Sequence, residues 1–345
     1  MNIVVLAGGL SPERDVSLSS GVMAANALLS RGHRAVLVDL FFGLELPAGG
    51  AEEVFLRAAP LEPRPVPAAA PALDAVRAGR KSGFSPDIGN GVIELCRAAD
   101  IVYLALHGDD GENGKLQAFF DLLGIRYTGS PSFGCALAMN KWIAKQLFGH
   151  AGILTPHGVH LRRGQDGMQD LIGLPCVVKP CCGGSSLGIS IARTAAERAA
   201  ALEEAFRYED EVLVEEYIPG RELSCGVLGG EALPLIEIIP LESFYDYAHK
   251  YQAGLTEEIT PARLEPELTQ QIQAAAVQAC RALRIEIYAR VDFLLSAAGR
   301  VYCLEANTLP GMTPTSLLPQ EAAAAGIDYP ALCEKIITLS MRKYQ

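Results

Sequence analysis

Asn2–Ala7 is a short apolar run closed by Gly8-Gly9, the pattern of a buried strand. Leu18, Val22, Ala25 and Leu29 follow at spacings of three and four residues. They predict a helix capped at Ser11 or Ser17 and ending at Gly32. Ala35–Leu40 reads as a second strand, whereas residues 47–71, rich in Pro and Ala, read as irregular surface chain. A helix (Val92–Ala98), a strand (Ile101–Leu106) and a helix (Leu116–Leu123) come next. This alternation predicts a parallel sheet with helices on its faces.

A new section begins near Ser132 with a helix over Ala136–Phe148. It continues as strand Cys176–Lys179, a glycine-rich turn, strand Ile189–Ala192, helix Ala195–Phe206 and strand Val212–Tyr217. The third section opens near Gly220 with strands Glu222–Leu228 and Leu233–Pro240. A polar, aromatic stretch (Glu242–Thr256), a helix (Glu267–Leu283), an apolar hairpin and a closing helix (Tyr329–Met341) follow. The expected division is therefore 1–131, 132–219 and 220–345, an α/β protein in three parts, and 345 residues are ample for it.

Composition narrows the function. Half the residues are hydrophobic and a fifth charged, as in an ordinary globular protein. A net charge of −11 argues against nucleic acid or an anionic membrane as partner, so an anionic ligand must be held by local cations. Nine cysteines without a CxxC pair suit a reducing compartment, and the adjacent Cys181 and Cys182 do not by themselves read as a disulfide or zinc framework. No leader pattern and no apolar run near ~18 residues is present, so a cytoplasmic location is expected.

Chemistry concentrates in "RVDFLLSAAGRVYCLEANTLPGM", Arg290 to Met312. Val291–Leu295 and Val301–Leu304 read as strands of a hairpin turning at Ser296–Arg300. A loop of two or four residues centred on Ala298-Gly299 pairs Asp292 with Glu305 and Arg290 with Asn307, all on one face. A three-residue loop with a glycine bulge would break that register. Opposed carboxylates ~4 Å apart repel by about 4 kcal/mol at an effective dielectric of roughly 20. A cation must therefore sit there: Arg290 in a plain ion pair, or Mg²⁺ completing its shell with phosphates and water.

The Mg²⁺ reading requires a nucleotide, yet neither Walker A nor GxGxxG is present. "VVKPCCGGSSLG", Val177–Gly188, offers a lysine ending a strand and a Gly-Gly-Ser-Ser turn able to cradle phosphate, or else a plain hairpin turn. Lys141 in "MNKWIAKQL" is a second candidate, with a solvated helix lysine as the alternative. In "EVLVEEYIPGRE", alternation sets Glu211, Leu213, Glu215 and Tyr217 on one side. A carboxylate there could accept an adenine amino group and Glu222 the ribose hydroxyls; an acidic edge strand is the other reading.

Taken in order, nine segments resemble the ATP-grasp superfamily, and within it the D-alanine–D-alanine ligases. They are "AGGLSPERDVSLSSG", "ALHGDDGENGKLQ", "YTGS", "MNKW", "VVKPCCGGSSLG", "VLVEEYIPGRE", "FYDYAHKY", "RVDF" and "LEANTLPGMTPTSL". The resemblance implies a three-domain ATP-grasp architecture, with a parallel α/β domain followed by two α+β domains that clamp ATP. It implies ligation of two D-alanines through an acyl phosphate, for peptidoglycan, by a homodimer. Two Mg²⁺ ions, replaceable by Mn²⁺, would sit on Asp292, Glu305 and Asn307. Lys141, Lys179, Ser186 and Lys250 would bind phosphates, and Glu215, Glu216, Tyr217, Ile218 and Glu222 would lie along adenine and ribose. Glu13 would receive the first ammonium with His107 nearby. Arg290 and the Gly311 N–H would hold the developing oxyanion. Ser316 and the Leu317 backbone would take the second carboxylate.

A closing loop at 243–256 would exclude water from the acyl phosphate. Tyr251, Ser185 and Glu13 match the dipeptide-forming pattern, whereas ester-forming relatives tend to carry histidine at the tyrosine. Leu317 lies where D-serine-using relatives tend to carry arginine. D-Ala-D-Lac or D-Ala-D-Ser ligases, and other ATP-grasp carboxylate–amine ligases, are the alternatives. "FYDYAHKY" and "HGDDGENG" argue against the last of these. The chain departs from the family at Cys181, Cys182 and Gly183, where bulkier polar residues are common, and at Glu216, where lysine is frequent.

Overall fold

The structure is a computed structural model that describes every residue except 68, 166, 185, 186, 241–255 and 314. Its first sheet is parallel: β1 (Asn2–Ala7) lies between β2 (Arg34–Asp39) and β3 (Ile101–Leu104). All its central residues are apolar because helices cover both faces. The helix Arg14–Ser30 follows β1 directly. Neither Ser11 nor Ser17 caps it as expected: Glu13 is the N-cap residue, while the Ser17 hydroxyl accepts from Gly8 N–H and donates to the Ala105 carbonyl. The stretch expected to be irregular at 47–71 contains one short helix, Gly50–Leu56, pinned by the buried Phe55.

The second sheet is antiparallel, in the order β4 (Gly158–Arg162), β7 (Glu211–Glu216), β5 (Cys176–Pro180), β6 (Ser190–Ala192). β4 was not expected; its five residues, "GVHLR", alternate too briefly to stand out between Pro156 and Gly164. The helix Ala195–Tyr208 covers this sheet, with Ala201 and Ala205 against Val178, Val212 and Val214.

The third sheet is also antiparallel. Its path is β11 (Thr256–Ile259), β10 (Ile236–Pro240), β8 (Gly220–Leu228), β12 (Tyr288–Ser296), β13 (Val301–Asn307), with β9 (Glu231–Ala232) on β8. The helix Pro266–Ala282 buries Ile272, Ala276 and Ala279 against it.

The single helix expected over Ala136–Phe148 is two, Ser132–Met139 and Lys141–His150. Asn140 breaks it: its backbone is extended, and its side chain accepts from the Ile143 N–H, so it caps the second helix. Ala138, Ala144 and Phe148 pack into the core under the third sheet. The closing helix Tyr329–Met341 returns to the first core through Leu332, Cys333, Ile336 and Ile337. These crossings tie the sheets together around a shared cleft. Among the described residues no helix is long and apolar enough to cross a membrane.

Candidate active site

A cleft of about 630 Å³ opens where the three sheets meet. The β12–β13 hairpin forms its floor. Arg290 stands opposite Asn307 and Asp292 opposite Glu305, as expected, but two irregularities produce that pairing. The turn is an odd one: Ser296 N–H donates to the Arg300 carbonyl, and Gly299 takes a φ of 75°. It pairs Leu295 with Val301 and Phe293 with Cys303, one residue out of the expected register. A bulge then leaves Leu304 as the extra residue on β13 and restores the pairing before Glu305.

Asp292 is the most tightly held group of the floor. Its Oδ1 accepts from Arg290 Nε at 2.9 Å and Ser224 Oγ at 2.9 Å. Its Oδ2 accepts from Arg290 Nη2 at 2.8 Å and Asn307 Nδ2 at 3.1 Å. Glu305 faces Lys141 Nζ at 3.5 Å. The two carboxylates and the Asn307 amide thus share one wall, an all-oxygen donor set with a cation beside each acid.

A second charged cluster lines the opposite wall. Glu215 on β7 is buried and receives Lys179 Nζ on one oxygen and Lys145 Nζ, at 3.0 Å, on the other. Burial raises its carboxyl, and the two ammonium groups lower it by more, leaving it below the usual carboxylate range. Burial lowers the Lys145 ammonium against the opposing pull of Glu215. Lys141 stands one helical turn before Lys145 and donates to the Gly183 carbonyl at 2.7 Å, which ties the glycine turn to this helix. Glu216, Tyr217, Ile218 and Glu222 continue along the same cleft. Glu216 Oε1 accepts from the His157 N–H at 2.8 Å.

The third wall comes from the first sheet. Glu13 is 9% exposed and sits so close to Gly108 and Gly184 that a Cβ on either would lie 2.9 Å from its Oε2. His107 is buried, its Nδ1 2.9 Å from the Leu309 carbonyl and its Nε2 2.9 Å from Ser20 Oγ. A carbonyl only accepts, so Nδ1 carries the proton and Nε2 accepts from the serine. Burial holds the imidazole below its ordinary pKa despite Glu13 nearby. Glu112 accepts from the N–H groups of Gly108 (2.9 Å) and Leu309 (3.1 Å), and burial with Glu13 beside it pushes its carboxyl up to about 7.

At the cleft's end Gly311 approaches Ser316 so closely that a Cβ would lie 2.7 Å from Oγ. Ser316 Oγ accepts from the Thr313 N–H at 3.0 Å, and Ser316 precedes the helix Leu317–Ala324.

Sixteen of the expected site residues therefore line one cleft: those on the floor, the lysine wall, the Glu13–His107 wall, and Gly311, Ser316 and Leu317. Ser185, Ser186, Lys250, Tyr251 and the expected closing loop, apart from Thr256, lie outside the described residues. Sequence reasoning missed Lys145, Glu112 and the Arg221–Glu237 pair at 2.6 and 2.7 Å on the cleft rim. Lys145 was legible as the i+4 partner of Lys141. Glu112 stands inside "HGDDGENG", and only tertiary contact marks it out from its acidic neighbours.

Two antiparallel sheets gripping lysines over a carboxylate hairpin define an ATP-grasp enzyme, a class that activates a carboxylate with nucleotide. Comparisons with known proteins make this particular. Residues 2–130 match the family model described as D-ala D-ala ligase N-terminus, and residues 152–338 the model of its C-terminus. A D-alanine–D-alanine ligase of Pediococcus pentosaceus is 45% identical over 100% of this chain and 99% of its own length. One of Lacticaseibacillus casei is 43% identical over 100% and 97%. The crystal structure of D-alanine–D-alanine ligase from Bacillus anthracis superposes with a TM-score of 0.76 at 33% identity, covering 99% of this chain and 98% of that one. The same enzyme complexed with ATP gives 0.75 at 30%, with the same coverage. The chain belongs to the D-alanine–D-alanine ligase family and is an ATP-dependent ligase.

Proposed function

We propose that the cleft joins two D-alanines through an acyl phosphate, for peptidoglycan synthesis, with its three walls dividing the work. A carboxylate is a poor acyl donor because oxide would have to leave. Transfer of the γ-phosphoryl group of ATP onto the carboxylate of the first D-alanine leaves ADP and makes an acyl phosphate; the neutral amine of the second attacks its carbonyl carbon, and inorganic phosphate departs. Such a transfer needs positioning and charge neutralisation more than a nucleophilic side chain. The walls supply that: Lys141 and Lys179 at the phosphates, and Glu215 holding Lys179 and Lys145 at fixed separation. Glu216, Tyr217, Ile218 and Glu222 run along the base and sugar.

Glu13 receives the ammonium of the first substrate, with the neutral His107 behind it. Arg290 and the Gly311 N–H face the reacting carbonyl oxygen. Ser316 and the Leu317 N–H, at a helix N-terminus, suit the second carboxylate. Asp292, Glu305 and Asn307 form a hard oxygen set that fits Mg²⁺, whose charge would offset that developing on the phosphates. The observation that carries this reading is the convergence of Glu13, Lys179 and Asp292, one from each sheet region, on one cleft.

The test is phosphate release from ATP with D-alanine, D-lactate and D-serine in parallel, followed by product analysis near neutral pH. D-alanyl-D-alanine should dominate when D-alanine and D-lactate compete. A predominant ester product would overturn the dipeptide assignment. A shift toward ester in Tyr251→His alone would support the role of Tyr251.

A further inference from the structure

The four-stranded sheet carries a cluster outside the cleft that the ligation does not use. His160 on β4, Glu211 at the start of β7 and Cys181, just beyond β5, place one ligand atom each within 4.8 Å of the others. None of the three lines the cleft. Strand pairing brings them together. β4 and β7 set Arg162 opposite Glu211, so His160, two residues back, shares that face. The Cys181 N–H donates to the Glu211 carbonyl at 3.0 Å.

Three potential ligand atoms lie close together here. His160 Nε2 lies 3.2 Å from Glu211 Oε2, yet the nitrogen makes no hydrogen bond. Zinc bonds of ~2.0–2.3 Å to nitrogen, oxygen and sulfur place tetrahedral ligand atoms roughly 3.3–3.7 Å apart. The nitrogen–oxygen pair is already close to that spacing, and the sulfur lies within 4.8 Å of both. Trp142 stacks on the His160 ring, centroids 5.5 Å apart and planes at 12°, which holds the imidazole plane in place.

Burial by itself raises the Cys181 thiol to about 12 and works against its deprotonation, while Glu209 and Glu211 bring negative charge to the sulfur, with Lys141 opposing. Arg162 holds the second Glu211 oxygen at 2.9 Å and leaves Oε2 toward the histidine. The His160 and Glu211 side chains are 19% and 29% exposed, so the cluster lies just below the surface, with Cys181 fully buried.

We propose that His160, Cys181 and Glu211 bind a thiophilic divalent cation of the Zn²⁺ type, with water as fourth ligand, at a site distinct from the oxygen-lined floor of the cleft. Binding releases the Cys181 thiol proton to solvent, so affinity rises with pH by up to about tenfold per unit. The site has a route to the chemistry. The Cys181 carbonyl accepts the Lys141 N–H at 2.8 Å, and Gly183, two residues on, accepts the Lys141 ammonium. An occupied site clamps the strand end from which the phosphate-side turn departs, so it alters the KM for ATP.

Trp142 is the protein's single tryptophan, which makes the test direct. Chelator-treated full-length protein is titrated with ZnCl2, with and without excess Mg²⁺, by tryptophan fluorescence and calorimetry. The expected result is a saturable 1:1 change that excess Mg²⁺ leaves in place. His160→Gln and Cys181→Ser should each weaken it by about tenfold or more. His160→Gln, at a partly exposed strand position, keeps zinc-free ligase activity and decides the matter if the serine variant fails to fold. Absence of saturable binding, or binding unchanged in His160→Gln, overturns the proposal; the latter places the ion on other histidines or cysteines.

Discussion

Arg290 grips Asp292 at two points, Nε to Oδ1 at 2.9 Å and Nη2 to Oδ2 at 2.8 Å, from two residues away on the same face of β12. The planar fork matches the carboxylate in a way that an ammonium cannot. In the proposed reaction this pairing would orient the guanidinium toward the reacting carbonyl. Arg290→Lys should therefore lower kcat by about 10²–10³, the effect of losing one oxyanion donor. Circular dichroism should remain that of the wild type; near-normal turnover would remove Arg290 from the mechanism.

Glu305 lies at the mouth of the same hairpin and is 27% exposed in its side chain. Its loss should cost little stability, because Lys141 keeps its bond to the Gly183 carbonyl. Glu305→Ala should abolish Mg²⁺-dependent phosphate release while the thermal midpoint stays within a few degrees of wild type. Turnover with an unaltered Mg²⁺ dependence would refute the ligand role.

Glu13 and Gly184 belong to different sheet regions, and a methyl on Gly184 would sit 2.9 Å from the Glu13 carboxylate. Gly184→Ala should displace that carboxylate and raise the KM for the first D-alanine more than that for ATP. Steady-state kinetics with each substrate varied in turn reads the difference. Equal changes in both constants would locate the effect in the turn alone.

Glu215 is the sole anion between Lys179 and Lys145 among the described contacts of these lysines. Glu215→Gln leaves two buried ammonium groups facing each other, a loss of about 3–5 kcal/mol by analogy with broken buried pairs. Urea unfolding followed by circular dichroism measures it. The folded carboxyl is depressed, so its stabilisation is present above the ordinary value of ~4.3 and lost as pH falls through the lower folded value. The variant should accordingly lose part of the wild-type decline in acid.

Glu112 has the opposite sign. Its folded carboxyl is raised to about 7, so the folded state holds a proton that the unfolded chain has released between ~4.3 and 7. The contribution is complete below ~4.3 and is lost as pH rises through about 7. Wild-type thermal stability should therefore fall across that interval by more than that of Glu112→Gln. The variant loses one of two backbone hydrogen bonds at every pH, which offsets its curve without adding slope. Parallel curves for the two proteins would show that Glu112 does not titrate there.

What the sequence determined by itself was the order of elements and the residue types that carry the chemistry. Periodicity of two in β7 and β12 placed Glu215 and Asp292 on faces shared with their working neighbours, because strand alternation is a local property of the backbone. The opposition of Asp292 to Glu305 was also legible, although the turn shifts by one residue and the bulge at Leu304 shifts back. No sequence pattern announced either step; they cancel because both faces of the hairpin must satisfy the apolar core at Phe293 and Cys303 and the charged cleft beyond them.

Tertiary structure alone decided the rest. Lys145 and Lys141 look like solvated helix lysines until β7 and the hairpin bury them at 8% exposure beside Glu215 and Glu305. The closing helix Tyr329–Met341 shows an apolar face but not which sheet receives it; the core of the first sheet does. Glu13 meets Gly184, and Cys181 meets His160, only once separate strands have been stacked and paired. Local sequence sets which face a side chain takes; long-range packing sets what that face meets, and the charge and solvation of the site follow from the second.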